Sequence, residues 1–131
     1  MPILNYDSRF AGAVRTGHKR QTIRPRRTPP IKPGDTLYHF ANMGSRNRQS
    51  LLATACTQVW PLTLSGQGLR INGVCLDPCD AETVARDDGF NNFAQLEQYI
   101  SDTYGLPFEG DLIKWSYQPA TQEARPCNSM I

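Results

Sequence analysis

Six of the thirteen residues from 15 to 27, RTGHKRQTIRPRR, are lysine or arginine, and a strand-like pattern, Gln21-Thr22-Ile23-Arg24, lies among them. Like charges packed this densely repel one another unless solvent or an anionic ligand neutralises them. In a strand, the side chains of Thr22 and Arg24 point to one side and that of Ile23 points to the other. We therefore expect one face of the segment to offer a hydroxyl and a guanidinium together, while the other anchors it to the core.

Lys19 and Thr22 could together perform nucleophilic chemistry. A threonine hydroxyl is a poor nucleophile until a neighbouring base takes its proton, and a lysine that is desolvated among other cations has a lowered pKa that suits it to help. Plainer interpretations remain open for both residues. Thr22 can be interpreted as an ordinary β-favouring residue on a half-exposed strand, and Lys19 as a solvated charge at the C-terminal end of a helix.

The basic residues are concentrated in the first part of the chain. Residues 1–48 contain ten basic and two acidic residues, a net charge of +8, whereas the remainder has a net charge of −6. This asymmetry is typical of proteins that present a basic face to a nucleic acid or nucleotide, although pairing between the two halves would absorb part of it. The residues expected to contact a ligand or its phosphates are Arg20, Arg24, Arg26, Arg27, Lys32, Arg46 and Arg48.

Length and composition favour one ordinary globular domain. The chain has 131 residues, no apolar run near the roughly 20 residues that span a bilayer, and no secretory signal pattern at its start. We therefore expect a soluble, cytoplasmic protein with a domain over residues 1–118 and a loosely held tail over 119–131. The four cysteines are expected to be free thiols, because a closed zinc site normally has more complete ligand spacing, and we expect neither a metal nor a cofactor.

The hydrophobic patterns predict an α+β fold. One strand and a helix capped by Asp7 or Ser8 and closed by Gly17 come first, and two helices over residues 80–90 and 91–105 come late. The residues between them alternate in short β-prone segments, with a turn or bulge at Asn72-Gly73 and a bend or end at Pro61. The order predicts about six mostly antiparallel strands curled into a small barrel with helices packed outside.

The late helix has a stripe of apolar residues at helical spacing, which predicts a buried face. Its members are Phe93, Leu96, Ile100 and Tyr104. The strand residues Tyr38, Trp60 and Trp115 could offer base-stacking surfaces, but positions on strands favour packing in the core or at its rim.

Three short motifs in order, GHKRQTIR, KPGD and DGF, resemble the ASCH family, whose fold is like that of PUA domains. The resemblance covers roughly residues 3–117. It implies a closed or nearly closed β-barrel with a cleft into which the segment around Lys19 projects. Family members are associated with RNA or nucleotide handling, and some are hydrolases that remove the acetyl group from acetylated cytidine or cleave RNA.

The deacetylating branch of that family works with a lysine and a threonine in this segment and a glutamate before the long helix. By resemblance these roles fall on Lys19, Thr22 and Asp88, where Asp88 is one methylene shorter than the family's glutamate. Asp88 can also be interpreted as part of the turn before the helix, or as an ion-pair partner of Arg24.

The primary hypothesis is that the chain binds RNA, a nucleotide or a nucleoside in a basic cleft formed by Lys19, Thr22, Arg24 and Asp88. The alternatives are a hydrolase that acts on N4-acetylated cytidine or on RNA, and an accessory protein whose basic face meets an acidic protein. All three hypotheses require the early basic segment to be exposed to a ligand, and the first two require it to meet Asp88 across about sixty-five positions of sequence.

Overall fold

The computed structural model describes residues 2–117, which form seven strands and three helices. The predicted tail over residues 119–131 lies outside the described residues. In chain order the elements are β1 (Ile3–Tyr6), α1 (Ser8–Thr16), β2 (Gln21–Arg24), β3 (Thr36–Ala41), β4 (Gln49–Ser65), β5 (Gly68–Ile71), β6 (Val74–Cys75), α2 (Pro78–Asp87), α3 (Phe93–Tyr104) and β7 (Phe108–Trp115).

Strand β4 connects the two parts of the sheet. Its first half pairs with β3, and its second half lies between β7 and β5. The change of partner coincides with a register shift between Cys56 and Gln58, where a bulge redirects the strand. The expectation that Pro61 ends this segment is wrong, because Pro61 sits within β4, opposite Asp111 of β7, and its carbonyl accepts a bond from the Asn72 amide at 2.8 Å.

The sheet is mixed, with β1 and β3 parallel and all other strand pairs antiparallel. The predicted α+β class and mostly antiparallel sheet are therefore confirmed. The predicted closure into a barrel is wrong, because no backbone ladder joins β1 to β2 in the described part of the chain. Arginine side chains bridge this gap instead: Arg24 donates to the carbonyl of Asn5 at 2.7 Å, and Arg27 donates to that of Ile3.

Helix α1 forms where its caps predict it. The Asp7 side chain accepts from the Arg9 amide at the N-terminus, and Gly17 takes the left-handed conformation at the C-terminus with φ of 84°. A side-chain Cβ at position 17 would overlap the ring of Tyr117. The chain then returns, with the Lys19 amide bonded to the Ala13 carbonyl at 2.9 Å, and enters β2.

Helices α2 and α3 pack beside each other, and the turn between them passes close to α1. Helix α2 ends at Asp87 with Asp88 as its C-cap, and Gly89 has φ of 103°, a conformation that favours glycine. A Cβ on Gly89 would lie 3.2 Å from the Phe10 ring, so the turn is held tightly against α1. Asn92 caps α3 by accepting from the Gln95 amide at 2.9 Å.

The core lies between the sheet and the helices, and the stripe predicted on α3 contributes to it in part. Leu96 and Ile100 are fully buried, but Tyr104 is 42% exposed, so the prediction that Tyr104 belongs to the core is wrong. Trp115 is buried, as its strand position predicted. None of the three helices within residues 2–117 is long and apolar enough to cross a membrane.

Candidate functional site

A cavity of about 380 Å³, the main cavity, opens where β1, α1, β2 and the two late helices meet. Its lining combines aromatic rings with polar and charged groups, all drawn from segments far apart in sequence. The lining residues are Asn5, Tyr6, Asp7, Phe10, Lys19, Thr22, Ile23, Arg24, Asn42, Asp88, Phe90, Tyr99 and Tyr104. The convergence of the early basic segment with Asp88 that the primary hypothesis requires is therefore confirmed.

A buried ion pair joins the first and last parts of this cavity. Lys19 Nζ lies 3.2 Å from Asp88 Oδ1 and 2.5 Å from the Asp88 carbonyl oxygen, and the two residues are only 3% and 5% exposed. Lys19 Nζ also lies 5.2 Å from the centre of the Phe10 ring. The interpretation of Lys19 as a solvated helix-end charge is wrong, because the chain turns at Gly17 and directs this side chain inward.

Burial works against both charges of the pair. It lowers the pKa of Lys19 and raises the pKa of Asp88, while the attraction between the two groups opposes each shift. Gln21 also stabilises the carboxylate, since its amide nitrogen lies 3.4 Å from Asp88 Oδ1 and 3.2 Å from the Val84 carbonyl. The contacts of Lys19 and Gln21 with the Asp88 carboxylate both reach Oδ1, so Oδ2 takes part in neither. The shifts bring the proton affinities of an amine and a carboxylate closer together, which suits the pair to proton exchange.

Thr22 and Arg24 share one side of β2, as their alternation predicts. Arg24 Nε donates to Thr22 Oγ1 at 3.0 Å, so the hydroxyl accepts a bond and keeps its proton for a further partner. The guanidinium lies 4.9 Å from the centre of the Tyr6 ring. The close partner of Asp88 is Lys19 rather than Arg24, which contacts Thr22 and the backbone of β1.

An aromatic wall, formed by Phe10, Phe90 and Tyr99, faces these polar groups. The three rings contact one another with centroid separations of 5.4 to 6.0 Å. The guanidinium of Arg9 lies 4.7 Å from the Phe10 centroid and 4.9 Å from that of Tyr99, within cation–π range. Sequence reasoning missed the wall, because each ring comes from a different segment; the signal was the DGF motif, which places Phe90 two residues after Asp88.

A buried polar network lies behind the cavity. The Tyr6 hydroxyl is 3.0 Å from His39 Nδ1, and His39 Nε2 is 2.8 Å from Thr54 Oγ1. Burial lowers the pKa of His39 to about 4, so this ring is neutral at pH 7. A neutral imidazole holds one proton between two hydroxyl partners, which fixes the position of the Tyr6 ring at the cavity.

The remaining basic residues do not line the cavity. Arg20 donates to the Gly17 carbonyl at 2.7 Å and borders a separate groove that Lys114 also lines. Arg26 is paired with Asp111 at 3.1 Å, and this pairing raises the pKa of Arg26.

The other four predicted contacts lie on two further surfaces. Arg27 and Lys32 line a second cavity of about 560 Å³, and Arg46 and Arg48 are exposed on the turn between β3 and β4. The predicted set of seven ligand-binding residues therefore divides among several surfaces, and only Arg24 belongs to the main cavity.

The main cavity is not strongly basic. Two cations, Lys19 and Arg24, face two carboxylates, Asp7 and Asp88, so its formal charge is balanced. A multiply charged free phosphate would find little net attraction there, whereas an uncharged, hydrogen-bonding, planar group would meet both polar partners and rings.

Comparison of the chain with models of known protein families, with curated proteins and with solved structures finds no match in any of the three. Within residues 2–117, no group of three or more His, Cys, Asp or Glu side chains could hold a metal ion. The described cysteines, Cys56, Cys75 and Cys79, are free thiols. A functional assignment therefore depends on the cavity itself.

Proposed function

We propose that this chain is an ASCH-like domain with an incompletely closed, PUA-like barrel, and that it binds a nucleobase of RNA or of a nucleoside or nucleotide in the main cavity. The observation that carries the proposal is the placement of the buried Lys19–Asp88 pair, Thr22 and the aromatic wall within one cavity. Aromatic side chains stack on any base, and polar groups at the edge of the ring select among bases.

The polar groups complement the edge of a base. Asp88 accepts hydrogen bonds, Lys19 and Arg24 donate them, and the free proton of the Thr22 hydroxyl can be donated to a ring carbonyl or nitrogen. A base is uncharged at pH 7, so it does not disturb the charge balance of the cavity. Because these groups are already held by bonds to one another, little side-chain freedom is lost when a ligand enters.

Calorimetric titration with the four common ribonucleosides tests the proposal directly. Thr22→Val keeps the shape of the side chain and removes its proton, and we expect it to weaken binding by about 1 kcal/mol, roughly fivefold in Kd. The matched control is Thr63→Val on β4, which does not line the cavity and should bind as the wild type does. Equal affinities of the two variants, or no binding of any nucleoside, would contradict the proposal.

A second candidate function, hydrolysis of the acetyl group of N4-acetylcytidine, is favoured by the lowered pKa of Lys19 beside Thr22 in the same cavity. In this reaction Lys19 first passes its proton to Asp88, and the Thr22 hydroxyl then attacks the acetyl carbonyl and gives its proton to the neutral Lys19 amine. The exocyclic nitrogen of cytidine leaves with that proton, and water then releases acetate from Thr22. Asp88 would position the amine.

Chromatography of N4-acetylcytidine incubated with the protein distinguishes the two candidates. Turnover that is lost in both Lys19→Ala and Thr22→Val but kept in Thr63→Val would establish the hydrolase. Binding of the nucleoside without release of acetate would leave the binding function alone. Turnover that neither Lys19→Ala nor Thr22→Val changes would exclude this assignment of roles.

A further inference from the structure

The free edge of β1 forms a seam that arginine side chains line. Strand β1 pairs with β3 along one edge only, and at the other edge Arg24 and Arg27 donate to the carbonyls of Asn5 and Ile3. These two carbonyls are two residues apart on a strand, a separation of about 6.6 Å. That spacing is comparable to the distance between successive phosphates in single-stranded RNA.

The seam connects two cavities. The main cavity includes Asn5 and Arg24 at the C-terminal end of β1, and the second cavity includes Pro2 and Arg27 at its N-terminal end. The two cavities therefore adjoin opposite ends of β1, a strand of four residues that is about 13 Å long.

The second cavity has the components of a further nucleotide site. It contains two cations, Arg27 and Lys32, and the half-buried ring of Tyr38. Its one carboxylate, Asp35, accepts a bond from the Lys32 backbone amide at 3.0 Å. Pro29 and Pro30 make the wall of the second cavity rigid. Unlike the main cavity, the second cavity therefore carries a net positive charge.

The arginines of the seam have donors to spare. A guanidinium has five N–H donors; within the described residues Arg27 uses one of them, for the Ile3 carbonyl, and Arg24 uses two. A phosphate oxygen can therefore be bound without breaking the bonds that hold β1. Arginine is suited to this task because its planar fork matches the geometry of a phosphate.

We infer that the seam between Arg24 and Arg27 is a track for the phosphodiester backbone of single-stranded RNA, which places one base in the main cavity and a following nucleotide in the second. The ligand is then an oligonucleotide of at least two nucleotides rather than a free nucleoside. This inference rests on the proposed function, and it adds the class of ligand and a second subsite that includes Lys32 and Tyr38.

The test compares ligands of increasing length. Calorimetric titration at 50 mM salt uses each ribonucleoside, its dinucleoside monophosphate and the tetranucleotide of the same base. We expect the dinucleoside monophosphate to bind about tenfold more tightly than the nucleoside, because it adds one charge-assisted phosphate contact. For the tetranucleotide, contacts by Arg24, Arg27 and Lys32 predict a slope of about −2 in log K against log salt, about −0.7 for each phosphate.

Arg27→Gln and Lys32→Gln should each remove most of the increase in affinity with ligand length. Each should also reduce the magnitude of the salt slope by about 0.7, while the affinity for the nucleoside stays unchanged. The matched control is Arg70→Gln, an exposed arginine on β5 that lines neither cavity. Lys32 is exposed, so its variant keeps the test valid even if Arg27→Gln perturbs β1.

Two other results have distinct meanings. Equal affinity for a nucleoside and its dinucleoside monophosphate, or a gain with length that survives in Arg27→Gln and Lys32→Gln, overturns the track and leaves the main cavity as a nucleoside site. If none of the nucleosides, dinucleoside monophosphates or tetranucleotides binds, the proposed function itself fails, and the track fails with it.

Discussion

Removing one partner of the Lys19–Asp88 pair should destabilise the fold far more than removing an exposed charge. At 3.2 Å and an effective dielectric constant of 20, two unit charges attract by about 5 kcal/mol. Most of that attraction offsets the cost of burying the charges, so the pair contributes little net stability. Loss of one partner leaves the other charge buried and unpaired, and such losses typically cost about 3–5 kcal/mol.

We therefore expect Lys19→Met and Asp88→Asn each to lower the free energy of unfolding by about 3 kcal/mol or more at pH 7. The double variant removes both charges, so its cost should fall short of the sum of the single costs by at least about 1 kcal/mol. Urea denaturation followed by circular dichroism measures all four free energies. Lys32→Met, which removes an exposed lysine, is the control and should stay within about 0.5 kcal/mol of the wild type.

The dependence on pH gives a second, independent result, because the two single variants should respond in opposite directions. In Lys19→Met, Asp88 loses the attraction of Lys19 that opposes the rise of its pKa. Asp88 then holds a proton in the folded state at pH values where the unfolded state has released it. The cost of this substitution should thus be small below the unfolded pKa of about 3.9 and grow as the pH rises.

In Asp88→Asn the lowered pKa of Lys19 is depressed further, and the cost of the substitution should grow as the pH falls below the unfolded lysine value of about 10.4. Costs below about 1 kcal/mol for both single variants, or the same pH trend in both, would refute the reasoning that these charges are buried together.

Two further substitutions test the surroundings of the site. Gly110→Ala would drive a Cβ into the Arg24 carbonyl oxygen and should destabilise the fold by about 1–3 kcal/mol in urea denaturation, whereas Gly12→Ala, with open space in a helix, should be neutral or stabilising. The His39 pKa of about 4 predicts that stability is lost as the pH falls from about 6.5 through 4, by at most about 3 kcal/mol. His39→Gln should lack this part of the pH profile, and an unchanged profile would mean that another group titrates.

Local signals in the sequence predicted the local structure well. The caps Asp7 and Gly17 fixed both ends of α1, and Asn72-Gly73, both with positive φ, forms the turn between β5 and β6. These features depend on conformations that particular residues favour in any protein. The expectation that Pro61 ends the strand was wrong, because the ladder with β5 begins only at Leu62, so the N–H that proline lacks is not needed there.

The cavity was predicted only in part, because it depends on contacts between distant residues. The resemblance placed Lys19, Thr22 and Asp88 in one site, and the structure brings all three to one cavity. The aromatic wall was not predictable from helical spacing, which predicts which face of a helix is buried but not which ring borders a void. Asp111, the partner of Arg26, lies 85 residues later in the chain. The density of basic residues alone therefore predicted that Arg26 contacts a ligand, whereas the fold pairs it with Asp111.

The dense positive charge of residues 15–27 is divided among separate tasks in the folded chain. Lys19 is neutralised by Asp88 in the cavity, and Arg26 is paired with Asp111 on β7. Arg24 and Arg27 take the place of the ladder bonds that would close the barrel between β1 and β2. Side-chain bonds of this kind leave donors free, which backbone ladders do not. The opening in the barrel and the proposed contacts to phosphate thus have one physical origin, because the bonds that hold β1 use only some of the donors on Arg24 and Arg27.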